Sequence, residues 1–355
     1  MLSRILLALL LLALASLTAV GLNGRPTSAN DIAQSQTIYG TDVTAAGYGG
    51  MRGIGTGTIS LTGVSGSITK ALLYWHGPTN SSDPSANASV TFAGAGITGT
   101  NIGFSNDNCW GFANSQAYRA DVTSFVTGNG NYSLSNFVKT GADINGVSLI
   151  VFFNDGNNTN NRDIVLFDGN DSNITNAYDA NGWNVTLPGI NYTSGTASMD
   201  LHVGDGQTWV DDALILNGTI TLAPADGVFE GDSVPNGASA GSTNGGLWDI
   251  KSYDVTSALT PGPNTLTLTT GVNNDCLSLV VAAVDLPAGA APITPTPTPR
   301  PGVGGAVNLP AGAVAAESGA AAEGSGWTVG AYAALAGSAI AVAAAAWYAR
   351  RRWMR

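Results

Sequence analysis

Between residues 30 and 288 no stretch holds an apolar period of 3.6 for long. What recurs is alternation, or a short apolar run, bounded by Gly, Asn, Asp or Pro, which is the pattern of strands and turns. In Leu72-Leu73-Tyr74-Trp75-His76, a period of two puts Leu72, Tyr74 and His76 on one face and Leu73 and Trp75 on the other. Ser148-Leu149-Ile150-Val151 and Ser278-Leu279-Val280-Val281 are apolar without alternation. Such runs predict strands covered on both faces. The predicted class is all-β.

The strands come in a repeated order. KALLYWHG (70–77), YRADVTSFVTGNGNYSL (118–134) and GVSLIVFF (146–153) are answered by DALILNGT (212–219), SYDVTSALTPGPNTLTL (252–268) and CLSLVVAAV (276–284). In each DVTS the Asp, Asp121 or Asp254, suits the cap of a short turn. Phe125 or Leu259 then follows to plug a core, and a Gly/Pro turn leads into an alternating strand. The expectation is two tandem β-sandwiches, 30–158 and 159–287, each of a size that supports one core.

YDVTSALTPGPNTLTL (253–268) looks like a strand pair of jelly-roll domains of galactose-binding type. The wider set ALLYW, ADVTSFV, SLIVFFND, RDIVLFDG and DCLSLVVAAVDLP resembles a group of bacterial and archaeal cell-surface proteins with tandem jelly-roll-like domains of unknown function. The resemblance implies a fold and a location, and it carries over no catalytic residue.

Both ends point to the same location. Residues 1–29 pair Arg4 with an apolar run and end in Thr27-Ser28-Ala29, a signal peptide with cleavage after Ala29. Residues 288–326 hold PTPTPRPG and then Gly and Ala with few large apolar side chains, a stalk. Residues 327–349 carry no charge, have Trp327 and Trp347-Tyr348 at their edges, and are followed by Arg350, Arg351 and Arg352 in a cytoplasmic tail, 350–355. That predicts one transmembrane helix with the bulk of the chain outside the cell. A sorting tail removed after export is the alternative.

Charge narrows the partners. Between 30 and 326 there are seven basic and 24 acidic residues, a net charge of −17. Nucleic acid is excluded as a partner, because its backbone demands clustered Lys and Arg. Twenty-one of the acids are Asp and three are Glu, which favours turns and calcium loops over helices. From Asp168, positions 1, 3, 5 and 12 of a calcium-type loop are Asp168, Asn170, Ser172 and Asp179, with Asp155 and Asp163 as further donors. The alternative is an Asn/Asp-rich surface loop.

Cys109 and Cys276, an even pair in an exported chain, are expected to form a disulfide that joins the two copies. No catalytic constellation is evident: G-x-S-x-G is absent, and His76 and His202 read as strand residues, His76 at a strand edge. Asp211-Asp212, Asp226, Glu230 and Asp232 are the carboxylates a hydrolase would draw on. Trp110 and Trp183, in turn-rich contexts, are the candidate sugar-stacking side chains. Nine Asn-x-Ser/Thr sequons accord with an exposed surface. The reading is a membrane-anchored extracellular structural or adhesive protein without catalysis. A carbohydrate-binding module is second and an extracellular hydrolase third, with cell-envelope glycans or surface proteins as the expected partners.

Overall fold

A computed structural model describes residues 32–175, 182–235, 245–271 and 275–289. The expected signal peptide, most of the stalk, the stretch 327–349, the basic tail and Asp179 lie outside the described residues. Among the described residues no helix is long and apolar enough to cross a membrane.

The chain is all-β. Its first half comprises β1 (Ala33–Tyr48), β2 (Gly57–Leu61), β3 (Ser67–Thr79), β4 (Ser89–Phe92), β5 (Ala95–Thr98), β6 (Thr100–Ser105), β7 (Asn114–Asp121), β8 (Gly130–Ser135) and β9 (Gly146–Asn154). The second comprises β10 (Arg162–Ser172), β11 (Trp183–Tyr192), β12 (Ser198–Gly204), β13 (Leu214–Leu216), β14 (Ile220–Ala223), β15 (Trp248–Asp254), β16 (Gly262–Thr270) and β17 (Ser278–Pro287). One nine-stranded sheet runs β15-β12-β17-β10-β1-β9-β3-β7-β6. Two four-stranded sheets, β2-β8-β4-β5 and β11-β16-β13-β14, cover its halves.

The halves repeat each other: β1 to β5 and β7 to β9 recur in order as β10 to β17, with β6 as the additional strand. They also share a strand. Residues 33–41 of β1 pair with β10 and residues 42–48 with β9. A register shift between Ile38 and Thr41, with Gly40 at φ +58°, marks the passage from one half to the other.

Three apolar cores follow from the alternation of these strands. Leu73, Trp75, Leu149 and Val151 lie in the core of the first sandwich, and Met199, Leu201, Leu266 and Leu279 in that of the second. The opposite faces, with Leu72, Tyr74, Ile150 and Phe152 from one half and Ile164, Leu166, Val280 and Val281 from the other, form a third core. The nine-stranded sheet is therefore folded upon itself, giving four layers with three packed interfaces. In the first core Trp75 stacks on Tyr118 at 5.4 Å and meets Phe137 edge-on at 5.9 Å, pairs worth about 0.5–1.5 kcal/mol beyond their burial.

The DVT segments act alike in both halves. Asp121 Oδ1 accepts from Thr123 N at 3.0 Å, and Asp254 Oδ1 from Thr256 N at 2.8 Å, starting short 3-10 turns. Thr123 Oγ1 accepts from Ala71 N and Thr256 Oγ1 from Ala197 N, both at 2.9 Å. The deepest plugs are Val122 and Val255, both fully buried, rather than Phe125 or Leu259.

Because these turns lock onto Ala71 and Ala197, they align β3 with β12. KALLYWHG therefore corresponds to the strand of Asp200 and His202, not to DALILNGT. The latter forms β13, whose partners β16 and β14 give it the place that β4 holds between β8 and β5.

Candidate functional site

Two polar constellations interrupt the apolar interfaces. The first is at the junction of the halves, where Cys109 and Cys276 form a disulfide with Cα atoms 6.2 Å apart. Asn108, at φ +59°, turns the chain there; its Nδ2 donates to Cys276 O at 2.8 Å, and Ser278 Oγ donates to its Oδ1 at 3.0 Å. Next in sequence, Trp110 Nε1 donates to both carboxylate oxygens of Asp205, at 2.7 and 2.9 Å. Arg52 lies 3.8 Å over the Trp110 ring, pairs with Asp205 at 3.3 Å and donates to Asn145 Oδ1. Asn145 Nδ2 in turn stands 3.3 Å from His76 Nδ1.

Burial pushes the Asp205 carboxyl up and the Arg52 guanidinium down, and each holds the charge of the other. With donors on both its oxygens, Asp205 has the surroundings of a carboxylate. Nearby, burial raises Asp275 to about 7 and Asp211 to about 6. Asp275 is held by Gln207 N and Cys276 N, Asp211 by Phe229 N.

The second constellation is a cleft between the two halves of the nine-stranded sheet. It encloses about 310 Å³. One wall is β12, whose Ser198, Asp200 and His202 share a face, with Ser252 of β15 and Asp285 of β17 beside them. Opposite are Val43, Ala45 and Ile150. Exposure falls along β12 from the half-buried Ser198 and Asp200 to the fully buried His202. Burial lowers His202 to about 3, so its ring is neutral, and both ring nitrogens lack a hydrogen-bond partner. Burial raises the Asp200 and Asp285 carboxyls. Asp285 is paired with Arg162.

The residues expected to hold calcium are placed otherwise. Asp168, Asn170 and Ser172 lie in β10, a paired strand of the central sheet, not in a loop. The Asp168 carboxylate receives Tyr74 OH at 3.0 Å and Arg119 at 2.5 Å. Asn170 Nδ2 donates to Ser115 Oγ, and Ser172 N donates to Ser105 Oγ. Asp163 receives Gly40 N and Gly289 N, and Asp155 organises the turn to Asn157 and Asn160. Among the described residues no group of three or more His, Cys, Asp and Glu is placed to hold a metal ion.

Asp168→Ala separates the two roles. It should cost about 1–3 kcal/mol by leaving Arg119 and Tyr74 unsatisfied, equally with calcium or with chelator in thermal unfolding. Calcium stabilisation of the parent that the variant loses would restore the ion to this strand.

Trp183 is a core residue, 2% exposed, and not a stacking platform. The period-two run Trp183, Val185, Leu187 carries that signal in the sequence. Trp110 is half-buried and engaged with Asp205 and Arg52. His76 is not at an edge: β3 lies between β9 and β7, and the ring is fully buried with its pKa lowered to about 3 by burial. Asp211 and Asp212 precede β13 in a loop and are not on a strand. Among the described tryptophans it is Trp209, 48% exposed, that faces solvent.

No protein-family model and no curated protein matches the chain. Among solved structures the chain is similar to one described as the crystal structure of PBCV-1 VP54 fitted into a cryo-EM reconstruction of the virophage Sputnik. The identity is 8% over 69% of this chain and 94% of that one, with a TM-score of 0.17. An overlap that low supports no inference about this chain.

Proposed function

We propose that the chain is a cell-surface protein that displays a non-catalytic double β-module outside the membrane, as a structural or adhesive element. The observation that carries this reading is the Cys109–Cys276 disulfide, because such bonds persist in oxidising, extracytoplasmic surroundings. The strand orders β1-β9-β3-β7 with β2-β8-β4-β5, and β10-β17-β12-β15 with β11-β16-β13-β14, are those of two jelly rolls. Six of the nine sequon asparagines, Asn80, Asn131, Asn157, Asn184, Asn191 and Asn217, are exposed. Absence of catalysis is favoured by the full burial of His76, which leaves it unable to reach a substrate from solvent.

The anchor is the 327–349 stretch, and the signal peptide precedes Asn30. The chain should fractionate with membranes, residues 30–326 should be cut by protease added outside intact cells, and the mature C-terminus should include Trp347. A mature chain ending before Trp327 would replace the permanent anchor with a processed sorting tail. Protection of 30–326 from external protease would sink surface display altogether.

A carbohydrate-binding role is the second reading, and it now rests on Trp209. A glycan-array signal that is lost in Trp209→Ala would favour it over a purely structural role.

A further inference from the structure

The two halves differ most tellingly where their inner faces meet. Counted from Ala71 and Ala197, the positions of Leu72, Tyr74 and His76 are those of Ser198, Asp200 and His202. In the first half the space is filled. Leu72 and Tyr74 join the middle core, and the carboxylate that Tyr74 meets, Asp168, has Arg119 as its cation. In the second half the same positions carry a hydroxyl, a carboxylate and an imidazole, and a cleft of about 310 Å³ stands open before them.

We propose that this cleft binds a small alkylammonium ion: a primary amine on a short aliphatic stem. Charge decides the sign of the ligand. Of the six basic side chains among the described residues, Arg52, Lys70, Arg119, Arg162 and Lys251 are each paired with an Asp other than Asp200. The sixth, Lys139, is held by Asn87 and Asn136. Asp200 therefore has Ser252 as a hydrogen-bonding neighbour but no cation. Around the cleft stand Asp200, Asp285 and Arg162, a net charge of −1, with a neutral His202. An anion would meet an uncompensated carboxylate here, whereas an ammonium would neutralise one.

The donor count fits as well. An ammonium brings three N–H donors and no acceptor. The Asp200 carboxylate, the Ser198 and Ser252 hydroxyls and one His202 nitrogen are all acceptors on the same wall. The opposite wall of Val43, Ala45 and Ile150 offers apolar contact to methylenes. No Trp, Tyr or Phe lines the cleft, so a pyranose ring would find no large stacking surface.

The test is titration calorimetry on the full chain at neutral pH with n-pentylamine and 1,5-diaminopentane, against 1-pentanol and glucose. The amines should bind with millimolar or tighter affinity and pentanol about tenfold more weakly or not at all. Asp200→Asn keeps a bond to Ser252 and removes a charge whose burial is unfavourable. It should retain the parent melting temperature and lose amine binding about tenfold. No amine binding by the parent, or pentanol binding as tightly as pentylamine, overturns the proposal. So does a folded Asp200→Asn chain that binds amine like the parent. Glucose binding in place of amine would reassign the cleft to polyols.

Discussion

Replacing Cys109 and Cys276 by alanine, or reducing them, should lower the free energy of unfolding by up to about 5 kcal/mol. The bond closes a loop of 167 residues, and constraint of the unfolded chain over that length sets the figure. It also holds the Asn108–Trp110 segment of the first half against the start of β17. Urea unfolding of the oxidised, reduced and Ala-substituted chains measures the loss. Coincident midpoints would show that the staple contributes nothing to the folded state.

Asp205→Ala should be almost as damaging, at about 3–5 kcal/mol, because it strands the Arg52 guanidinium, 3% exposed, beside an unsatisfied Trp110 N–H. Asp205 sits at φ +72°, a conformation that alanine tolerates less well than aspartate. Asp205→Asn is therefore the companion variant: it keeps an acceptor for Trp110 and the backbone tolerance, and removes only the charge. A double-mutant cycle with Arg52→Met isolates the pair, since the doubly substituted chain leaves neither charge buried alone. It should be more stable than Asp205→Ala. Additive losses in the cycle would mean that Arg52 and Asp205 act independently, contrary to their contact.

Local alternation was a good guide to this fold, and long-range pairing was not. The two faces of 72–76, the doubly covered strands β9 and β17 and the DVT turns are all readable from periods and turn residues. The mistaken match of KALLYWHG with DALILNGT has a physical cause. Both strings are apolar, whereas the true counterpart, β12, carries Ser198, Asp200 and His202 where β3 carries Leu72, Tyr74 and His76. The polar face that hides the repeat is the face that lines the cleft. Asp168 and Asn170 suggested a loop because they are polar and closely spaced. Their partners Tyr74, Arg119 and Ser115 come from another layer, 94, 49 and 55 residues away, where no local pattern reveals them.

The strand that the halves share sets the order in which the chain can assemble. β1 is made early, yet its two partners are β9 and β10, more than 100 residues later: Asp42 pairs with Phe153, and Thr37 with Val165. Until residue 153 exists both edges of the first strand stay unpaired, and residues 33–41 stay so until residue 168. Such non-local pairing makes folding slow and leaves aggregation-prone intermediates. A fragment cut at residue 158 would keep β9 but lose β10, exposing residues 33–41 as a bare edge. The shared strand thus predicts that the two copies fold as one kinetic unit, each half expressed alone leaving part of the shared pairing bare.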